Sequence, residues 1–412
     1  MEVGIESINA FCGQASLDIR MLFEARNLDL ERFNNLMMVE KSVGLPCEDA
    51  VTNAVNAAKP IIDALSEEER SRIELIITAT ESGVDFGKSL STYIHDYLGL
   101  GRKCRLFELK QACYGGTAGL QMAANFIVSN ASPGAKALVI ATDVARTSVK
   151  LTSYAEPSQG TAAIAALVSN QPDILALDFG ANGYHSYEVM DTCRPEPALE
   201  VGDSDLSLLS YLDCLNESYK SFLERVDGVD FRTSFDYFAF HTPFGGMVRG
   251  AHRNLMRKFS ATTDPDIVQA DFVKRLLPSF QYCTKVGNVY SATVFLALCS
   301  LVDEAEINSS QRVGLFSYGS GCSSEFYSGV ITPTSKRKLA KMRISEKLDQ
   351  RHKLSMKEYE HILNLNLEWG FGIENKVLDR SEFDVIYQKQ FAGKGLLTLK
   401  EIKGYHREYE WS

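Results

Sequence analysis

The sequence predicts a duplicated, layered α/β fold: two mixed, mostly parallel sheets, helices on their faces, and a shared helical layer between them. Two observations carry this. Short apolar, β-branched-rich runs alternate with helical stretches, and that order occurs twice. In the first half the buried-strand pattern covers residues 75–79, 137–141 and 162–168, with a helix expected over 49–64 and a small-residue helix over 117–128. In the second half a strand is expected over 237–240, a helix over 249–259, a small-residue helix over 288–302, and strands over 313–316 and 326–331. The halves align by motif. Ile77-Thr78-Ala79-Thr80-Glu81 matches Phe238-Ala239-Phe240-His241, the helix opening at Cys113 matches the one at Asn288, and Val139 to Asp143 matches Leu315 to Gly319.

Composition narrows the function. The 412 residues are 45% hydrophobic and 23% charged, an ordinary globular make-up. A net charge of −10 argues against nucleic acid as a partner. No apolar run reaches the ~18 residues of a membrane span. Met1-Glu2-Val3-Gly4-Ile5-Glu6 lacks the basic and apolar regions of a signal peptide, so a cytoplasmic chain is expected. The nine cysteines are odd in number and none has CxxC spacing, which disfavours both a disulfide framework and a zinc site.

In open α/β sheets ligands bind beyond the carboxyl ends of the strands. Glu81 and His241 follow pseudo-equivalent strands, and Cys113 and Asn288 open pseudo-equivalent helices, so the four converge on one pseudo-two-fold axis. Cys113, in Lys110-Gln111-Ala112-Cys113-Tyr114-Gly115-Gly116-Thr117, sits where a helix N-terminus favours a thiolate and lowers its pKa from ~8.5. It is the expected nucleophile. Glu81, at the edge of a covered apolar site, is expected to have the raised pKa of a proton-abstracting base. Gly319 and Ser320, in Ser317-Tyr318-Gly319-Ser320-Gly321, offer polar groups in a tight turn.

The strings Ala112-Cys113-Tyr114-Gly115-Gly116-Thr117-Ala118, His241-Thr242-Pro243-Phe244, Gly287-Asn288 and Phe316-Ser317-Tyr318-Gly319-Ser320-Gly321 resemble, in order and spacing, the 3-hydroxy-3-methylglutaryl-CoA synthases of the thiolase superfamily. Phe86-Gly87-Lys88-Ser89-Leu90-Ser91-Thr92-Tyr93-Ile94, Phe107-Glu108-Leu109-Lys110-Gln111 and Leu399-Lys400-Glu401-Ile402-Lys403-Gly404-Tyr405 resemble the subfamily that performs β-branching on polyketide chains held by acyl carrier proteins. The resemblance implies a thiolase-like fold and a homodimer. It also implies thioester substrates on phosphopantetheine, with no bound cofactor or metal. Cys113 would carry an acetyl group, Glu81 would take a proton from its methyl, and His241 would assist at the new alkoxide. Backbone N–H groups at Cys113 and around Gly319 and Ser320 would form the oxyanion hole, and Asn288 would orient the acceptor.

The sequence departs from CoA-using relatives in two places. Their lysines after the active-site histidine are absent from Gly245-Gly246-Met247-Val248-Arg249-Gly250, and Pro157-Ser158-Gln159-Gly160-Thr161-Ala162-Ala163 replaces a Gly-Ala-Gly-Ala loop. Tyr154 is a candidate for a tyrosine that lines the pocket in relatives. Arg249, Arg253 and Arg257 fall at i, i+4, i+8 on one helix face, a stripe suited to an acidic carrier protein and its phosphopantetheine phosphate. Arg32, among acids, is a further candidate for that rim. The expected division is a first thiolase-like half over 1–170, a second over 171–334, and a C-terminal extension over 335–412, in which 344–369 reads as one amphipathic helix. The competing readings are a mevalonate-pathway synthase using acetyl-CoA and acetoacetyl-CoA, a decarboxylating ketoacyl synthase, and a catalytically silent scaffold. The missing lysines disfavour the first. The Glu81–Cys113–His241 set disfavours the other two.

Overall fold

A computed structural model describes residues 1–145, 155–196 and 199–412. Its frame is a sheet of nine strands: β1 (Gly4–Phe11), β2 (Ile73–Ala79), β3 (Arg105–Leu109), β4 (Lys136–Val144), β5 (Thr161–Ser169), β6 (Leu175–Ser186), β7 (Tyr237–Phe240), β8 (Gln311–Gly319) and β9 (Ser323–Ile331). Across the sheet the order is β7-β8-β9-β6-β1-β5-β4-β2-β3. Reading outward from the centre gives β1-β5-β4-β2 on one side and β6-β9-β8-β7 on the other. The duplication seen in the sequence is therefore also the symmetry of the sheet. β2 runs parallel to β3 and β4, and β7 runs parallel to β8; the remaining ladders are antiparallel. The two half-sheets, expected as separate sheets, meet edge to edge through a two-residue ladder, Gly4 with Ala176 and Ile5 with Leu175. A Cβ at Gly4 would lie 2.0 Å from the Leu175 carbonyl oxygen, so only glycine permits that approach.

Helices cover the sheet. Asp49 caps α1 (Ala50–Asp63) by accepting from the Val51 and Thr52 N–H groups, and the helix lies against β1, β4 and β5. The helix α2 (Gly115–Val128) buries Gly115 against Ala79 and Leu109 and Gly119 against Ile77 and Val139. The helix α3 (Ser204–Leu223) covers β6 and β9. Two further helices, α4 (Gly245–Phe259) and α5 (Pro265–Arg275), follow β7, and α4 carries the arginine stripe on its exposed face. The last core helix, α6 (Thr293–Glu304), is buried along almost its whole length. A 3-10 turn over Tyr290–Ala292 precedes it, so its α-helical part begins five residues later than the pattern from 288 implied.

The openings of α2 and α6 meet between the halves. A Cβ at Gly116 would fall 2.3 Å from the Ser291 carbonyl oxygen and 2.8 Å from the Phe295 ring. The apolar side chains of β2, β4, α2, α6, β7 and β8 join in one buried core.

The expected single helix over 344–369 is instead two, Ile344–Asp349 and Met356–Leu367. Between them the buried Arg351 donates Nε to the Leu348 carbonyl, and His352 and Lys353 pair in parallel with Ala15 and Ser16. Ser355 and Glu358 then form a capping box that starts the second helix. A small C-terminal sheet docks on α1: Leu397 and Asn56 exchange two hydrogen bonds, at 2.8 and 3.1 Å.

Gly116→Ala keeps helix propensity yet places a methyl inside a backbone contact. It is expected to destabilise the protein by about 1–3 kcal/mol in urea unfolding. Unchanged stability would show that α2 and α6 can separate freely.

Candidate active site

The site grows from a buried carboxylate, Asp143, near the carboxyl end of β4. Its Oδ1 accepts from the Glu81 N–H at 2.7 Å, Thr80 Oγ1 at 3.1 Å and Ser82 Oγ at 3.0 Å. Its Oδ2 accepts from Ser291 Oγ at 2.6 Å and the Ser291 N–H at 3.2 Å. One side chain thus ties the end of β2, in the first half, to the opening of α6 in the second. Burial pushes its pKa up, and the hydrogen bonds from Ser291 and the Glu81 N–H oppose that.

Cys113 lies in the turn that enters α2, directly after Ala112, whose φ of +44° is a conformation side chains rarely adopt. Its Sγ donates to Glu81 Oε1 at 3.4 Å. The helix terminus was expected to lower the thiol pKa. The structure reverses that expectation: burial raises it well above the ordinary value, and the Glu81 and Asp143 carboxylates add to the rise. A short helix opening does not outweigh dehydration and two nearby anions. Burial and the Asp143 charge push Glu81 up to about 7, against the pull of Arg194 and the Cys113 hydrogen bond.

His241 follows β7. Its N–H donates to the Phe316 carbonyl at 2.8 Å, and its own carbonyl accepts from the Tyr211 hydroxyl at 2.7 Å. The ring is buried and Nδ1 has no hydrogen-bond partner among the described residues. Burial holds the imidazole down to about 3, so it is neutral at physiological pH.

Asn288 is pinned at both ends. Its N–H donates to the Ser158 carbonyl at 2.6 Å and its carbonyl accepts from Gly160 at 2.8 Å. Its Oδ1 accepts from the Tyr290 N–H and Thr293 Oγ1, and no described residue takes its Nδ2. Gly319 ends β8 against the Cys113 turn: a Cβ there would lie 2.6 Å from the Tyr114 nitrogen and 2.7 Å from the Gln111 carbonyl. Ser320 is the next residue in that turn.

Hydrogen bonds and close approaches therefore bring Glu81, Cys113, Gly319 and, through Ser291 and Asp143, the Asn288 turn into one assembly. His241 joins it through the β7–β8 ladder. The arginines lie elsewhere. Arg249, Arg253 and Arg257 are exposed on α4, along a groove of about 1000 Å³ also lined by Asn35, Met37, Leu208 and Leu212. Arg249 donates to Gln269 Oε1 at 3.1 Å. Arg32 is exposed on a neighbouring helix, Leu30–Leu36, and does not line the groove.

Sequence reasoning gave no role to Asp143, Arg194, Glu200 or Tyr290. Asp143 had a signal, a carboxylate at the end of a buried strand in register with Gly319. Arg194 and Glu200 stand on a ribbon of strands five and four residues long, too short for a pattern to mark them. Tyr154 lies outside the described residues. Among the described residues no cluster of His, Cys, Asp and Glu is arranged to hold a metal ion.

The family models for the hydroxymethylglutaryl-coenzyme A synthase N terminal and C terminal match residues 25–173 and 257–376. The chain is 53% identical to the polyketide biosynthesis 3-hydroxy-3-methylglutaryl-ACP synthase PksG of Bacillus subtilis, over 100% of this chain and 99% of that protein. It is 35% identical to the hydroxymethylglutaryl-CoA synthase of Enterococcus faecalis, over 87% of this chain and 91% of that one. Among solved structures it is similar to the HMG synthase of the curacin biosynthetic pathway in complex with acetyl donor-ACP, at a TM-score of 0.98, 56% identity and full coverage of both chains.

Glu81→Gln removes a negative charge that raises the Cys113 thiol. The thiol pKa should fall, by about one unit, and alkylation of Cys113 at fixed pH should quicken. Mass-spectrometric alkylation rates across pH check this. A midpoint that rises would mean that Glu81 promotes the thiolate.

Proposed function

The chain belongs to the hydroxymethylglutaryl-CoA synthase family, and we propose that Glu81, Cys113 and His241 divide its reaction among them. The reaction is an aldol-type condensation. It adds an acetyl group to a β-ketoacyl chain on an acyl carrier protein, giving the 3-hydroxy-3-carboxymethyl acyl chain of polyketide β-branching. The observation that carries the residue roles is the contact of Cys113 Sγ with the half-buried, proton-hungry Glu81 carboxylate.

Cys113 sulfur attacks the acetyl thioester of the donor carrier protein. The carrier thiol leaves and takes up the proton that Cys113 loses. Glu81 then takes a proton from the acetyl methyl, and the enolate carbon bonds to the β-ketone carbon of the acceptor. A methyl beside a thioester is a weak acid, so the base needs high proton affinity and the enolate oxygen needs fixed donors. N–H groups of the Cys113 and Gly319–Ser320 turns serve as those donors. Neutral His241 stabilises the new alkoxide by hydrogen bonding; the proton that quenches it comes from the newly protonated Glu81. Water then cleaves the Cys113 thioester, leaving a carboxylate and the free thiol. Asn288 orients the acceptor through Nδ2.

Carrier proteins as substrates fit the surface. The first turn of α4 lacks lysine and is packed tightly, since a Cβ at Gly246 would meet the Asn35 carbonyl at 1.8 Å. The arginines one turn on flank the groove, where paired N–H donors suit a phosphopantetheine phosphate. The same reading gives a homodimer, supported by the open edge of β3 and the exposed Met122 on α2. It divides the chain at 170/171 and 334/335. No helix among the described residues is long and apolar enough to cross a membrane, and a cytoplasmic location follows the same reading.

Cys113→Ser should lose the covalent acetyl-enzyme and keep its fold. Glu81→Gln should still accept acetyl, because the thiol ionises more easily without the carboxylate, but condensation should fall ~10²–10⁴-fold. Intact-protein mass spectrometry and a single-turnover condensation assay separate the two steps; acetyl mapped to another cysteine would refute the first assignment. Arg257→Glu should slow acetyl transfer from the carrier protein in a salt-dependent way and leave transfer from acetyl-pantetheine little changed. Equal loss with both donors would remove the docking role.

A further inference from the structure

We propose that Arg194 is the positioning residue of the general base: it fixes the backbone at Glu81 and holds a cation beside that carboxylate. The inference rests on Glu81 being the base of the condensation.

Arg194 stands on a ribbon of two short strands, Thr192–Glu196 and Leu199–Gly202, paired antiparallel. Its Nη1 donates to the Glu81 carbonyl at 3.1 Å and its Nη2 to Glu200 Oε2 at 2.9 Å. The guanidinium lies over the Tyr290 ring, 5.1 Å from its centre. Only 16% of the side chain is exposed. The ribbon and Asp191, the residue before it, brace the same site. Asp191 accepts from the Gly321 N–H at 2.9 Å and the Tyr318 hydroxyl at 2.5 Å, in the turn that holds Ser320. Glu200 accepts from Gln159 Nε2 at 2.9 Å, and Gln159 bridges to Asn288. One ribbon thus touches the base, the oxyanion turn and the acceptor-orienting turn.

The charged and titratable groups around Glu81 explain why a cation is needed. Asp143 faces it from β4, Cys113 from the turn before α2, Glu200 and Arg194 from the ribbon, and Tyr290 from the turn before α6. Burial and two carboxylates all disfavour the ionised form of Glu81, whereas the base must be ionised to take a proton. Arg194 opposes them. Both its Nη groups are engaged, by the Glu81 carbonyl and Glu200, while Nε has no partner among the described residues; its hold on the reacting groups therefore runs through Glu81. A planar, permanently charged guanidinium can hold both bonds and lie on an aromatic ring at once.

The test compares Arg194→Gln and Arg194→Lys by single-turnover condensation of pre-acetylated enzyme across pH. Without the cation Glu81 ionises at higher pH, so the acid limb of the Arg194→Gln profile should move up by about one unit or more and the rate should recover as pH rises. Arg194→Lys keeps the charge and should bring the limb back toward wild type. Uptake of one acetyl group shows that each variant is folded. A loss equal at every pH, a limb that stays in place, or a lysine variant that matches glutamine would overturn the proposal. Glu81→Gln condensing at the wild-type rate would instead remove the reading of Glu81 as base, and the two failures are distinct.

Discussion

The buried carboxylate of Asp143 is the interaction on which the site depends. Its two oxygens gather donors from both halves of the duplication, Thr80, Glu81 and Ser82 on one side and Ser291 on the other. A buried carboxylate is costly unless its lone pairs are filled, and here five donors fill them. The fold thereby fixes the position of Glu81 by its own N–H, before any substrate arrives. The same bonds hold the opening of α6 against α2, where Gly116 lets the helices approach closely.

Preorganisation of this kind has an electrostatic consequence. Burial and Asp143 raise the proton affinity of Glu81, and Glu81 with Asp143 raises that of Cys113. The thiol therefore waits protonated, hydrogen-bonded to Glu81. On the roles proposed for the two residues, acylation of the sulfur ends that hydrogen bond and frees the Glu81 oxygen toward the acetyl methyl. The arrangement that makes Cys113 a reluctant thiolate is the one that readies Glu81 for the carbon acid. His241, neutral by burial, can act on a developing oxyanion only by hydrogen bonding.

Much of this was legible in the sequence, because buried strands and glycine-rich turns leave local marks. The runs at 75–79, 137–141 and 162–168 are strands, each longer than its apolar kernel because the ladder continues past the β-branched residues. The alignment of Glu81 with His241 and of Cys113 with Asn288 follows the sheet order. Three features left no such mark. The joining of the half-sheets rests on a two-residue ladder at Gly4 and Ile5. The break at Arg351 in the C-terminal extension comes with tertiary contacts, to the Lys285 carbonyl and to the strand at Ala15 and Ser16, although the Ser355–Glu358 box was there to be read. The sign of the Cys113 shift depends on burial and on two carboxylates distant in sequence, whereas the helix terminus alone is a local cue.

The distribution of charge completes the argument. The chain is acidic overall, yet α4 presents Arg249, Arg253 and Arg257 on one exposed face beside an open groove. Cys113 and Glu81 lie in the opposite regime, half-buried with raised pKa values, and His241 is buried and neutral. A thioester on a long pantetheine arm is matched to that partition. Its reactive end is neutral and sheds water at little cost, so it can enter a site where charge is suppressed. Its phosphate and the acidic carrier must stay hydrated, so they belong at a surface where arginine can meet them without burial. On the docking role proposed for α4, recognition and chemistry are thus separated by the length of the arm, and its arginines meet the carrier at a surface away from the reacting carbon.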